Sequence, residues 1–389
     1  MRDVSIRRAA LSTAAAFAVA GASFGSFAGR IPDVQARLRL TDGRLGLTLL
    51  ALTAGAFLGI RAMPPSVGAM GLRRTIAWSV VLTPLALGAD AAALQARSES
   101  AMVVALAATG FVFGALDGAM NVHAVVVETR RGKPIMSRMH ACYSVGALAG
   151  SGVAGLLAAQ GVPATTAFRA TSVVIVVGAL VAATGLLPDA TLPPPPPHPA
   201  GRRVRRLSPT VLLLGAMMLV CFMTEGATAD WSAVLLHRER HASAGVATTG
   251  YVAFNVAMTT FRLLGDHATG RFGRVAIVRW GGALAATSLA VAALVPSAAV
   301  AAVAFGVLGI GLATLVPVMF SAAGERGENA LADVGSAGYI GLMAGPPVIG
   351  GLAELLGLSW ALVVPAACVA GVAISALAVL ATSEDAAQE

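Results

Sequence analysis

The sequence predicts an all-α membrane protein of twelve transmembrane helices in two pseudo-symmetric six-helix bundles. Three observations carry that expectation. Of 389 residues, 57% are hydrophobic and 12% charged, and the mean hydropathy of +0.80 is far above that of a soluble domain. Apolar stretches of about 20 residues, the length a helix needs to cross ~30 Å of hydrocarbon, recur from one end of the chain to the other. A proline-rich basic segment, "LPDATLPPPPPHPAGRRVRRLSP", divides them six and six.

Apolar periodicity and length place the spans at residues 9–29, 43–63, 75–95, 101–125, 139–160 and 165–187, then 209–235, 246–268, 275–295, 298–322, 332–356 and 359–381. The expected domains are a first bundle at 1–187, a cytoplasmic linker at 188–208 and a second bundle at 209–389. The first span, within "IRRAALSTAAAFAVAGASFGSFA", has the arginines and small residues of a secretory signal. Its length and the eleven spans behind it favour a retained helix.

Charge sets the expected orientation. With both termini in the cytoplasm, 18 of the 27 basic residues fall on the inner side, 8 on the outer side, and Arg262 within a span. Arg30, Arg37, Arg39 and Arg44 crowd the first external loop against that bias. The net charge of +8 follows from the inner loops without any basic face, so no nucleic-acid partner is expected. The lipid bilayer is the expected surrounding and a monomer the expected state.

The halves echo each other. "MGLRRTIAW" after the second span resembles "FGRVAIVRW" after the eighth, with Gly71 and Gly273 in register. Tyr143, Gly155, Leu156 and Gly161 recur as Tyr339, Gly351, Leu352 and Gly357, each 196 residues later. Alongside these stand "MHACYSVGALAG" at the fifth span, "TEGATADW" on the seventh and "GYIGLMAGPPVIGGLAELLG" on the eleventh. The whole chain resembles the major facilitator superfamily of transporters, and within it the bacterial fucose-permease-like branch.

That resemblance implies a cytoplasmic gate built on the loop signature Gly-x-x-x-Asp-Arg-x-Gly-Arg-Arg. After the second span only "GLRR" survives, with Arg73 and Arg74; after the eighth, "DHATGRFGR" keeps Arg271, Gly273 and Arg274. Gly270 stands where the signature has its acid, and Asp266 where it has its first glycine. If Asp266 still pairs with a basic loop residue, the latch survives. The drug-antiporter signature Gly-Pro-x-x-Gly-Gly belongs on the fifth span, which here has Ser151; the similar "GPPVIGG" lies on the eleventh.

Asp117, in "TGFVFGALDGAMNVHAVVVETRR", is a carboxylate in the middle of an apolar span. An ionised group there costs about 2.5–3.5 kcal/mol, so it should face the bundle interior or a wet cavity. Asn121 lies one turn on and shares its face. The resemblance implies that this acid takes part in substrate binding and proton coupling; a structural hydrogen bond between helices is the alternative. Fucose-type permeases have a second acid near the end of the first span, where this chain has Ala28.

Glu225, deep in the seventh span, is the expected second charge, followed toward the outside by Asp230 and Trp231. On the eighth span Tyr251, Asn255, Thr259, Arg262 and Asp266 form one polar stripe, which suits a water-lined path or the seam between halves. Arg262 is expected to pair with a carboxylate at a helix end rather than with an anionic substrate. His140 and Tyr143 start the fifth span from the cytoplasmic side, where the resemblance implies a role in the inner gate and interfacial anchoring is the alternative.

"HRERH", His237 to His241, has its glutamate misplaced for the zinc pattern His-Glu-x-x-His, and Cys142, Cys221 and Cys368 have no paired spacing. Neither a metal nor a disulfide is expected. "GALDG" does not supply the paired aspartate motifs of an intramembrane protease, so no enzyme is expected. With no ATP site or other cofactor in view, the expectation is a secondary transporter in the bacterial cytoplasmic membrane, moving a small polar solute by alternating access with protons as the coupling ion. Asp117 leads as the proton or substrate group, with Asn121, Glu225, Tyr251 and Asn255 lining the site. A drug or metabolite exporter of the same fold and a non-transporting receptor are the alternatives.

Overall fold

A helix stands at each expected span in the computed structural model, which describes residues 5–40, 42–189, 208–242, 246 and 249–385. Before the linker come α1 (Ile6–Ala28), α2 (Ile31–Leu38), α3 (Asp42–Met70), α4 (Leu72–Gln95), α5 (Glu99–Arg131), α6 (Met136–Ala159) and α7 (Ala164–Thr184). After it come α8 (Pro209–Val234), α9 (Thr249–Phe272), α10 (Arg274–Leu294), α11 (Ala298–Leu312), α12 (Leu315–Gly324), α13 (Glu328–Leu356) and α14 (Leu358–Asp385). Linker residues 190–207 lie outside the described residues.

Ten of the described helical segments are long and apolar enough to cross a membrane, α11 and α12 together making one of them; α13, bent by 40° beside Pro346 and Pro347, makes an eleventh. Helix α9 is 24 residues long, but Asn255, Arg262 and Asp266 lower its hydropathy. The chain is a multi-pass, all-helical membrane protein. By proximity it forms two compact units: Met1–Gly132 with Met139–Ala200 and Gly327–Ala332, and Lys133–Arg138 with Gly201–Arg326 and Asp333–Glu389.

Serine caps open several helices. Ser5, Ser98, Ser208 and Ser297 each accept from the backbone N–H three residues on, at 3.2–3.4 Å. The echoed glycines have a conformational reason: Gly71 and Gly273 have φ of 88° and 80° just before α4 and α10, and Gly161 and Gly357 have φ of 72° and 82° after α6 and α13.

Close helix crossings hold the first unit together. On α3 and α5, a Cβ added at Gly55, Gly59, Gly110 or Gly114 would stand 1.9–2.2 Å from a backbone carbonyl oxygen of the other helix. On α1 and α6 the same holds at 2.0–2.3 Å for Gly21, Gly25, Gly146 and Gly150. Small residues four apart let backbones touch, which is how helices gain contact where lipid removes the hydrophobic drive. The second unit repeats this at Gly341, 2.2 Å from Leu219 O, and at Gly309, 2.3 Å from Phe254 O.

The tenth span is broken between α11 and α12. In an unbroken helix the Ala313 carbonyl would accept from residue 317, but that residue is Pro317, which has no N–H. Arg262 Nε donates to the Ala313 carbonyl instead, at 3.3 Å.

Two of the arginines that crowd the expected first external loop are tied down. Arg30 is 1% exposed, donates to Ala154 O at 3.2 Å and Val162 O at 2.6 Å, and pairs with Asp33 at 2.9 Å. Arg44 pairs with Glu99. In "HRERH", Arg240 donates to Val295 O and Ser359 Oγ at 2.8 and 3.0 Å, and Glu239 accepts from the Leu358 N–H at 3.0 Å. Among the described residues no group of three His, Cys, Asp or Glu is arranged to hold a metal ion. None of the three cysteines is in a disulfide, and Cys221 is fully buried.

Candidate functional site

In the first unit the site grows from α5. Asp117 is half-buried and Asn121, one turn later, is fully buried. The Asn121 Nδ2 donates to Asp117 O at 2.8 Å and to Asp117 Oδ1 at 3.1 Å. Both partners are acceptors, so the amide nitrogen must point that way. Its Oδ1 then faces His140 Nε2, 3.2 Å away on α6, and that nitrogen carries the hydrogen. Asp117, Asn121 and His140 thus form one chain. The His140 ring lies 5.3 Å from Phe17, and Tyr143, one turn along α6, meets Phe113 edge-on at 6.2 Å.

His123, on the same helix, was not legible as a site residue. It is 0% exposed, and its Nδ1 lies 2.8 Å from Thr13 Oγ1. Thr13 directs its hydrogen to Ala9 O at 2.8 Å, so the imidazole donates through Nδ1, while Nε2 accepts from the Leu187 N–H at 3.0 Å. Two residues later Asp189 accepts from the Arg73 N–H at 2.9 Å. A linker-end carboxylate therefore meets the N-terminus of α4, where the loop signature lacks its own acid.

In the second unit Glu225 on α8 faces Arg262 on α9 at 3.4 Å. The same guanidinium donates through Nε to Ala313 O, at 3.3 Å, beside the break before Pro317. The polar stripe of α9 changes character along its length. Tyr251 is 40% exposed and Asn255 is exposed, while Arg262 and Asp266 are 8% and 6% exposed. Asn255 Nδ2 donates to Tyr251 O at 2.9 Å, and Tyr251 stacks on Phe254 at 6.3 Å.

Asp266 meets a basic residue, but not one in its own loop. It accepts from the Ser137 N–H at 2.8 Å, the Arg138 N–H at 3.1 Å and Arg138 Nε at 2.7 Å. Those amides are the N-terminus of α6, so the carboxylate gains a charge partner and a helix dipole together. The sequence alone did not mark Arg138 as the partner of Asp266. Of the expected gate arginines, Arg274 pairs with Glu325 at 2.7 Å, Arg271 lies over Phe272 at 5.7 Å, and Arg73 and Arg74 are exposed.

The family model of the Major Facilitator Superfamily matches residues 13–330. An uncharacterized MFS-type transporter of Yersinia pestis is 33% identical over 377 residues, covering 95% of each chain. Membrane protein MosC of Rhizobium meliloti is 32% identical over 351 residues, covering 89% of this chain and 84% of that one. The crystal structure of the transporter FucP in the outward conformation superposes with a TM-score of 0.76 at 19% identity, covering 96% of this chain and 99% of that one. A second structure of FucP is described as that of the E. coli fucose:proton symporter. With the matched model spanning most of a helical membrane chain, this protein belongs to the major facilitator superfamily.

Proposed function

We propose that this transporter moves a small polar solute across the bacterial cytoplasmic membrane by alternating access, coupled to protons. The observation that carries the reading is Asp117, a half-buried carboxyl in mid-span joined through the Asn121 amide to His140. An ionisable group at that depth that is only half-buried and joined to further polar side chains is a functional-site candidate by default. The likeness to a fucose:proton symporter supports the coupling ion. Ala28 at the place of that branch's second acid argues against fucose itself. Glu225, Tyr251 and Asn255 supply polar groups from the second unit, and the Asp266–Arg138 pair is the latch of the cytoplasmic gate with Arg73, Arg74, Arg271, Arg274 and Tyr143.

The test is a thermal-shift screen of the purified protein against sugars, carboxylates and drugs, followed by uptake of any hit into vesicles under an imposed pH gradient. A ligand that binds the folded protein raises its melting temperature by mass action. A hit that accumulates only with the gradient supports the reading; a hit that binds without net flux makes the protein a receptor.

Two labelling results are expected in a cysteine-free background. Asn255→Cys and Val256→Cys replace exposed neighbours on α9, about 100° apart. A membrane-impermeant thiol reagent should modify the first, and substrate should slow it, while the second faces lipid and stays inert. Equal rates at both would remove the stripe from the transport path. Lys133→Cys, exposed between α5 and α6, should react only after intact cells are permeabilised, because both termini are cytoplasmic. Labelling in intact cells would reverse the orientation.

A further inference from the structure

A second membrane acid lies in the first unit, apart from the Asp117 chain. Asp90 on α4 is 0% exposed. On its own helix Leu87, Ala91 and Leu94 are fully buried beside it, and across from it α5 contributes Met102, Ala105 and Leu106 to the same apolar cluster. From that helix Thr109 reaches in, its Oγ1 3.1 Å from Asp90 Oδ1 and 3.0 Å from Oδ2.

Thr109 behaves unlike five other threonines of this unit. Thr13, Thr48, Thr75, Thr83 and Thr129 turn their hydroxyls back to the carbonyl four residues earlier, whereas Thr109 directs its own across to the carboxyl. One hydroxyl has one hydrogen, and it can satisfy only one of two carboxylate oxygens. The second oxygen is satisfied when it bears a hydrogen and donates back to Thr109 Oγ1. Among the described residues no charged group pairs with Asp90, and an ionised carboxylate with one neutral donor in an apolar wall would lack the hydrogen bonds that offset its lost hydration.

We propose that Asp90 is a resident protonation site, a neutral carboxyl paired reciprocally with Thr109 that ties α4 to α5 and keeps its proton through the transport cycle. Its neighbours are apolar, and its contact with Thr109 joins two helices of one unit. In this chain the two acids divide the work, Asp117 exchanging its charge and Asp90 holding a hydrogen bond.

Infrared spectroscopy of the reconstituted protein at neutral pH tests the assignment without any transport measurement. A protonated-carboxyl carbonyl band should be present in the wild type and lost in Asp90→Asn. Thr109→Val supplies an independent reading with the carboxyl intact. Removing the hydroxyl partner should move the band to higher frequency, and absence of an Asp90-dependent band, or one indifferent to Thr109→Val, overturns the proposal. Asn presents one acceptor and one donor as a neutral acid does, so Asp90→Asn should melt with the wild type while Asp90→Leu melts lower. In vesicles, Asp90→Asn should accumulate solute at the wild-type level. This last arm rests on the proposed proton coupling; a folded variant that keeps the bond but loses accumulation would make Asp90 a carrier.

Discussion

Asp117→Asn is expected to reduce solute accumulation under an imposed proton gradient to the level of empty vesicles, with the melting temperature of the protein unchanged. The side chains are nearly isosteric, and the introduced amide still accepts through its Oδ1 from the Asn121 amide that now lies 3.1 Å from the carboxyl. The close glycines on either side, Gly114 and Gly118, are untouched. What disappears is the capacity to change charge, and a carrier that cannot load a proton cannot be driven by one. Downhill exchange of solute across the same vesicles should persist, which separates loss of coupling from loss of binding. Normal accumulation by the variant would make the carboxyl a structural group and move the coupling role to Glu225.

The same geometry shows what the sequence made legible. Hydropathy and length placed a helix at each expected span, though α9 is less apolar than the rest, and the face shared by Asp117 and Asn121 follows from a spacing of four on a helix. The echoed glycines were legible as a repeat, and for four of the six, Gly71, Gly161, Gly273 and Gly357, the structure supplies the cause, a positive φ at a helix end. Partners distant in sequence were not legible. Asp266 and Arg138 are 128 residues apart, and no local pattern in "PIMSR" marks one arginine as a carboxylate's partner. Asp90 was hidden for another reason: it lies five residues before the end of its span, where a polar residue ordinarily meets the headgroups. Only the packing of α5 and α7 against α4 reveals that this carboxyl is enclosed.

The break in the tenth span was within reach of the sequence but needed its partner to be read. Pro317 in "LATLVPVMF" marks a carbonyl without a donor, and proline within a span is commonly accommodated by a bend. What could not be inferred is that Arg262, on another helix, donates to that carbonyl at Ala313. The same side chain reaches Glu225 at 3.4 Å. Helix α2, by contrast, carries apolar Ile31, Val34 and Leu38 at steps of three and four, and its first turn opens with Pro32. Its eight residues were too short to register against the spans on either side.

Gly114→Leu is expected to prevent recovery of folded protein altogether. A Cβ at this position would lie 2.0 Å from Ala56 O and 2.7 Å from its carbonyl carbon, and neither atom belongs to a side chain that can rotate away. The reciprocal positions Gly55, Gly59 and Gly110 are equally closed, so α3 cannot slide along α5 to make room. The helices must part, and the packing they give up runs along both of them, which places the cost above the ~3 kcal/mol of ordinary overpacking. Gly155→Leu is the control, since Gly155 is exposed on α6 with open space within 4 Å of its added Cβ, and it should leave yield and melting temperature unchanged. Size-exclusion chromatography of detergent-extracted protein gives the comparison directly: aggregated Gly114→Leu beside monodisperse Gly155→Leu. Wild-type recovery of Gly114→Leu would mean that the α3–α5 crossing yields far more easily than so close an approach of two backbones allows, and the fixed position of Asp117, three residues along the same helix, would lose its structural basis.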